Sequence, residues 1–166
     1  MNEPEFWQLI DPAAGEHVVS RAAELLAARP RAEIVAAERT VSGLLVQSYR
    51  SSLWAAAYLV NGGCSDDGFD YFRGWLLTQG REVFTRAVAD PDSLADVPAI
   101  RAAAAEGAEL ECEEILYLAA TAHLAATGEP LPEPEPVALP PLDADFDFED
   151  PDEVRERLPR LSALFG

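Results

Sequence analysis

The sequence predicts an all-α fold, and three observations carry that prediction. Apolar residues recur at steps of three, four and seven, the spacing of one helix face. Alanine, the strongest helix former, supplies much of the 49% hydrophobic share. No strand-like alternation of useful length occurs anywhere. At 166 residues the chain suits one domain, a bundle of five to six helices, followed by an acidic, proline-rich extension. Each alanine buries little area, so the expected core is thin and depends on Trp7, Trp54, Trp75 and the phenylalanines.

A short amphipathic stretch over residues 5–10 opens the chain, and Asp11-Pro12 stops it. After Gly15, a second helix over about 16–29 carries Val18, Val19, Ala22, Leu25 and Leu26 on one side. Pro30 ends it. A long third helix is expected over 31–61, where Ile34, Val41, Leu45, Ser48, Ser52, Ala56 and Leu59 form a face small enough for close packing. Asn61-Gly62-Gly63 stops that helix, because Asn and Gly tolerate left-handed backbone.

A fourth helix is expected over 67–89, with Ser65 or Asp66 as its N-cap and Phe69, Phe72, Leu76 and Phe84 turned inward. Gly74 and Gly80 within it mark close helix contacts. Asp90-Pro91-Asp92 breaks the chain, and a fifth helix follows over 98–127, closed by Gly128. This gives a helical domain over 1–128, a linker over 129–142 and a C-terminal segment over 143–166. From Glu129 to Glu153 the chain has ten acids, no basic residue and seven of its 13 prolines, the composition of an extended segment with polyproline character. Within it, residues 143–148 alternate apolar with acid. Asp150-Pro151 then begins a last helix with Val154, Leu158, Leu161 and Leu164 in line, which should dock on the domain.

The formal charge of −18 is uneven: residues 1–90 carry 12 acids and 8 arginines, residues 91–166 carry 18 acids and 4, and there is no lysine. Such a field repels nucleic acid and anionic membranes and suits a basic protein partner, or none. No apolar run reaches the roughly 18–20 residues of a membrane span, and the acidic N-terminus is unlike a signal peptide. With two cysteines in no CxxC spacing, Cys64 and Cys112, a reduced, cytoplasmic setting is expected. Cys64 reads as an ordinary small residue in a turn.

The most distinctive run is Leu53 to Leu76, which joins the third and fourth helices and concentrates aromatics, acids and glycines. The block Asn61-Gly62-Gly63-Cys64-Ser65-Asp66-Asp67-Gly68-Phe69, together with Thr127-Gly128-Glu129 and Pro159-Arg160-Leu161, resembles DUF4240, a bacterial domain of unknown function. The resemblance runs from Phe6-Trp7 to the end of the chain. It implies no activity, and it gives His123 no role. Some relatives stand beside a nucleic-acid-associated WGR module, of which this sequence has no trace.

Two functions compete for the junction, with Trp54, Tyr58, Asp66, Asp67, Asp70, Trp75, Arg81 and Glu113 as the candidate cluster. The first is a non-catalytic interaction module for a basic partner, comparable by analogy to immunity proteins that bind toxins. The second is a carboxylate-based, metal-dependent hydrolase, if Asp66, Asp67, Asp70, Glu113 and Glu114 converge on a hard cation. The structural account of the same residues is simpler: acids in a first turn favour the helix dipole, and Arg73 and Arg81 form surface pairs worth about 0–1 kcal/mol. No catalytic residue, metal ligand or cofactor is assigned. Neither histidine follows a glutamate by three, as di-iron sites require, and phosphate loops, nucleophile elbows and Cys/His clusters are missing.

Overall fold

Asn2 starts the first helix by a reciprocal cap. Its side chain accepts from the Glu5 N–H at 2.9 Å, while the Glu5 carboxylate accepts from the Asn2 N–H at 2.8 Å. Helix α1 (Glu3–Ile10) buries Phe6, Trp7, Leu9 and Ile10, so this short piece is a part of the core. The computed structural model describes residues 1–11, 17–134, 136–142, 147 and 149–166. The breakers Pro12 and Gly15 lie outside them, as do all but Asp147 of the alternating run 143–148.

Ten α-helices and no strand occur among the described residues, as the periodicity predicts. Helix α2 (Val18–Ala27) buries Val18, Ala22 and Leu26 but leaves Leu25 exposed, contrary to its expected place inside. The long helices divide. The one expected over 31–61 is two, α3 (Arg31–Gln47) and α4 (Ser51–Asn61). At the break, the buried Ser48 hydroxyl donates to the Leu44 and Leu45 carbonyls at 2.9 and 3.2 Å, an arrangement that bends helices. The Arg73 guanidinium also donates to the Leu45 carbonyl. Ser48 and the distant Arg73 thus occupy the Leu45 carbonyl, which a continuing helix would bond to the Tyr49 N–H, and that N–H turns instead to the Val46 carbonyl at 3.2 Å.

The helix expected over 67–89 is likewise two, α5 (Asp66–Thr78) and α6 (Arg81–Ala89). Gly80 between them has φ +91, which a continuing helix cannot accommodate. The Asp11 carboxylate then caps α6 by accepting from the Arg81 N–H at 2.8 Å. The helix expected over 98–127 becomes α7 (Pro98–Glu106), an irregular stretch, a 3₁₀ turn (Glu114–Tyr117) and α8 (Leu118–Thr127). Left-handed Gly107 ends α7. The last helix is also interrupted, into α9 (Pro151–Arg157) and α10 (Pro159–Phe165), because Leu158 precedes a proline and leaves the helical region.

Helix α8 lies against α2 and α3, and α10 lies against α4, α7 and the 3₁₀ turn Pro91–Asp96. The C-terminal segment does dock. Leu158 and Leu161 are buried, and the Asp92 carboxylate accepts from the Arg160 and Leu161 N–H groups at 3.0 and 2.9 Å. Residues 129–134 and 136–142 form a strap with neither helix nor strand. Arg31 pairs with Glu129 at 3.5 Å near its start, and Leu131 and Leu142 pack on the core.

Candidate functional site

The junction between α4 and α5 is built by backbone constraints first. Gly62 (φ +66) ends α4 and Gly63 (φ +138) turns the chain, both in conformations that side chains rarely adopt. Ser65 then caps α5, its hydroxyl accepting from the Gly68 N–H at 3.2 Å. Asn61 clamps the stretch that follows α7: its amide donates to the Leu110 carbonyl at 3.4 Å and accepts from the Leu110 N–H at 3.0 Å. One turn into α5, the Tyr71 carbonyl accepts from the Cys112 N–H at 2.9 Å. A Cβ on Gly74 would stand 2.2 Å from the Cys112 carbonyl oxygen. The close contact read from this glycine is therefore present, against a loop and not a helix.

These constraints place the candidate residues on different surfaces. Trp54 is buried, stacks on Phe69 with centroids 4.7 Å apart, and donates from Nε1 to the Cys64 carbonyl at 3.0 Å. Trp75 is buried against Phe72. Both tryptophans hold the junction together. Tyr58 is exposed and faces the C-terminal helices. Arg81 contributes its backbone to the Asp11 cap, and its side chain is exposed.

Asp66 and Asp67 occupy the first turn of α5 and are exposed. Asp70 is half-buried and engaged with Arg73. Glu113 is exposed and lies beside Tyr71, whose phenol pKa is pushed up first by that carboxylate, then by burial and by Asp67. Glu113 and Asp67 thus meet around a tyrosine. Among the described residues, no group of three or more His, Cys, Asp or Glu side chains is placed to hold a metal ion.

Arg73 departs most from its expected surface role. It is buried, its guanidinium lies over the rings of Phe69 and Tyr49 at 4.6 and 5.2 Å, and it binds the Leu45 carbonyl and the Asp70 carboxylate. Burial pulls its pKa down while Asp70 opposes that shift. Burial, then Glu111, pushes the Cys64 thiol up to about 11, and burial also raises Cys112. Both shifts oppose thiolate formation, so neither thiol is activated as a nucleophile.

Two clefts escaped the sequence reading. One of about 750 Å³ lies between α4 and the C-terminal helices, with Tyr58, Leu59, Val154 and Ser162 in its wall. Another of about 540 Å³ lies between α8, α3 and the strap, lined by Leu116, Tyr117, Leu124, Leu131 and Glu38. Buried His123 sits near the second: its Nδ1 donates to the Glu129 carbonyl at 2.9 Å and anchors the start of the strap. Only the exposed Leu124 on an alanine-rich helix hinted at this face, since the strap that completes it comes from distant sequence.

A protein-family model described as "Protein of unknown function (DUF4240)" matches residues 1–124. The match includes the whole junction and stops short of Thr127-Gly128-Glu129 and Pro159-Arg160-Leu161. No curated protein and no solved structure matches the chain.

Proposed function

Because the chain belongs to the DUF4240 family, whose description assigns no activity, we propose from its surface that it is a non-catalytic interaction module for a basic protein. The observation that supports this is the display of its acids. Glu106 ends α7, Glu109, Glu111 and Glu113 follow in the irregular stretch, and Glu114 opens the 3₁₀ turn; all are exposed, as are Glu129, Glu133, Glu149 and Asp150 along the extension. Docking of that extension holds part of the acidic surface in place before a partner arrives, which reduces the ordering cost of binding. The hydrolase alternative needs converging carboxylates, and Asp66, Asp67, Asp70 and Glu113 do not provide a cluster of that kind.

The test is recovery of partners on the N-terminally tagged chain from the cells that make it, at low and high ionic strength. The expected result is a lysine- and arginine-rich protein, lost when the salt rises from about 0.05 to 0.5 M. It should also be lost from a variant carrying Glu106→Gln, Glu109→Gln, Glu133→Gln and Glu149→Gln. Partners insensitive to both changes would refute the reading.

A further inference from the structure

The cleft between α3, α8 and the strap combines two features that point to a ligand. The first is apolar: Tyr117 is 56% and Leu124 55% exposed, and Leu116 and Leu131 lie half-buried beside them. Large apolar side chains gathered in one groove and left in water mark a surface that gains by being covered. The second is a carboxylate. Glu38 lines this groove and also an adjoining cleft of about 290 Å³ bordered by Val35, Arg39, Glu133 and Pro132.

Glu38 is half-buried, and the groups acting on it are few. Burial raises its pKa and a hydrogen bond with Ser42 lowers it. Arg39, on the wall of the adjoining cleft, is itself engaged. A carboxylate partly withdrawn from water at the edge of an apolar groove attracts a cation more strongly than one on an open surface. A single ligand that satisfies both features has an apolar body and a positively charged group beside it.

We infer that this groove is the docking face for a basic amphipathic segment of a partner protein. Its apolar side chains enter between Leu116, Tyr117, Leu124 and Leu131, and its arginine or lysine lies on Glu38. The inference rests on the interaction reading above and assigns it a place. Charge selects this occupant: a second copy of the chain would bring a further −18 to a face already bordered by Glu38 and Glu133. An amphipathic helix laid in an apolar groove is a recurrent way of meeting such a surface.

The test places a photo-crosslinking phenylalanine analogue in the full chain at Leu124, and separately at Leu25, exposed on α2. The expected result is a discrete adduct from position 124 whose crosslinked peptide carries Arg or Lys within a helical turn of large apolar residues. Glu38→Gln should lower the adduct yield about tenfold without lowering the melting temperature, since it removes a half-buried charge. The inference is overturned by an adduct at 124 with a second copy, with another segment of the same chain, or with a segment lacking a basic residue. A yield indifferent to Glu38→Gln overturns it too. Adducts from position 25 alone, or from neither position, reject the groove, while the interaction reading stands or falls on the salt-dependent partner recovery described above.

Discussion

Arg73 is the residue on which the junction turns. It reaches three places at once: the Leu45 carbonyl at the end of α3, the Phe69 carbonyl at 3.4 Å, and Asp70. Its flat guanidinium also covers two aromatic rings. A planar fork with five donors can do this; an ammonium cannot. We expect Arg73→Lys to lower the unfolding free energy by about 2–3 kcal/mol, the range for lost hydrogen bonds to a buried charge. An unchanged urea midpoint would exclude this role. Gly74, next in sequence, shows a limit of propensity. Alanine is a better helix former, yet here its methyl would collide with the Cys112 carbonyl.

At the scale of elements, several interruptions and caps depend on groups from elsewhere in the chain. Arg73 contributes to the end of α3, Asp11 caps α6, and Asp92 caps α10. This explains what was legible in the sequence and what was not. The helical class, the Asn61-Gly62 stop, the Ser65 cap and the docking of Leu158 and Leu161 follow from local pattern, and all are present. The break at 48–50 was missed because apolar spacing runs through it and one of its donors, Arg73, is remote in sequence; the break after α7 turns on left-handed Gly107 and on contacts of the following stretch with Asn61 and Tyr71. Asp66 and Asp67 stand on the helix start where they were expected, but Asp70 is engaged by Arg73, and Glu113, expected on the fifth helix, lies in the irregular stretch before the 3₁₀ turn. Asp92→Ala should cost about 1–2 kcal/mol, as for loss of a cap. The effect should be confined to the tail: limited proteolysis should cut around 142–158 faster and leave residues 17–128 resistant. Uniform sensitivity along the chain would contradict this.

For the whole molecule, two electrostatic effects oppose each other as pH falls. Asp96 accepts from Arg160 and pairs with Arg86 and Arg101, and the Arg160 bond holds its pKa below the ordinary value. A depressed folded-state pKa means that the contribution is complete above the usual aspartate range, near about 4, and is lost as pH falls through the lowered value. Meanwhile the net charge of −18 diminishes, which relieves repulsion across the molecule. The local loss should dominate at the tail. We expect the methyl NMR signals of Leu158 and Leu161 to move to undocked positions on acidification, while those of Leu53 and Leu76 hold. Simultaneous movement of all four would show one cooperative acid transition instead.

The Asp92 clamp joins positions 68 and 69 residues apart in sequence. Contacts of such long separation demand that a large loop close first, so they form late in folding. Interactions made after the rate-limiting barrier leave the folding rate alone and slow the reverse reaction. The clamp should therefore act on how fast the extension comes away rather than on how fast the helical domain folds. Loosening the clamp would shorten the time the extension stays docked without delaying the folding of the domain beneath it.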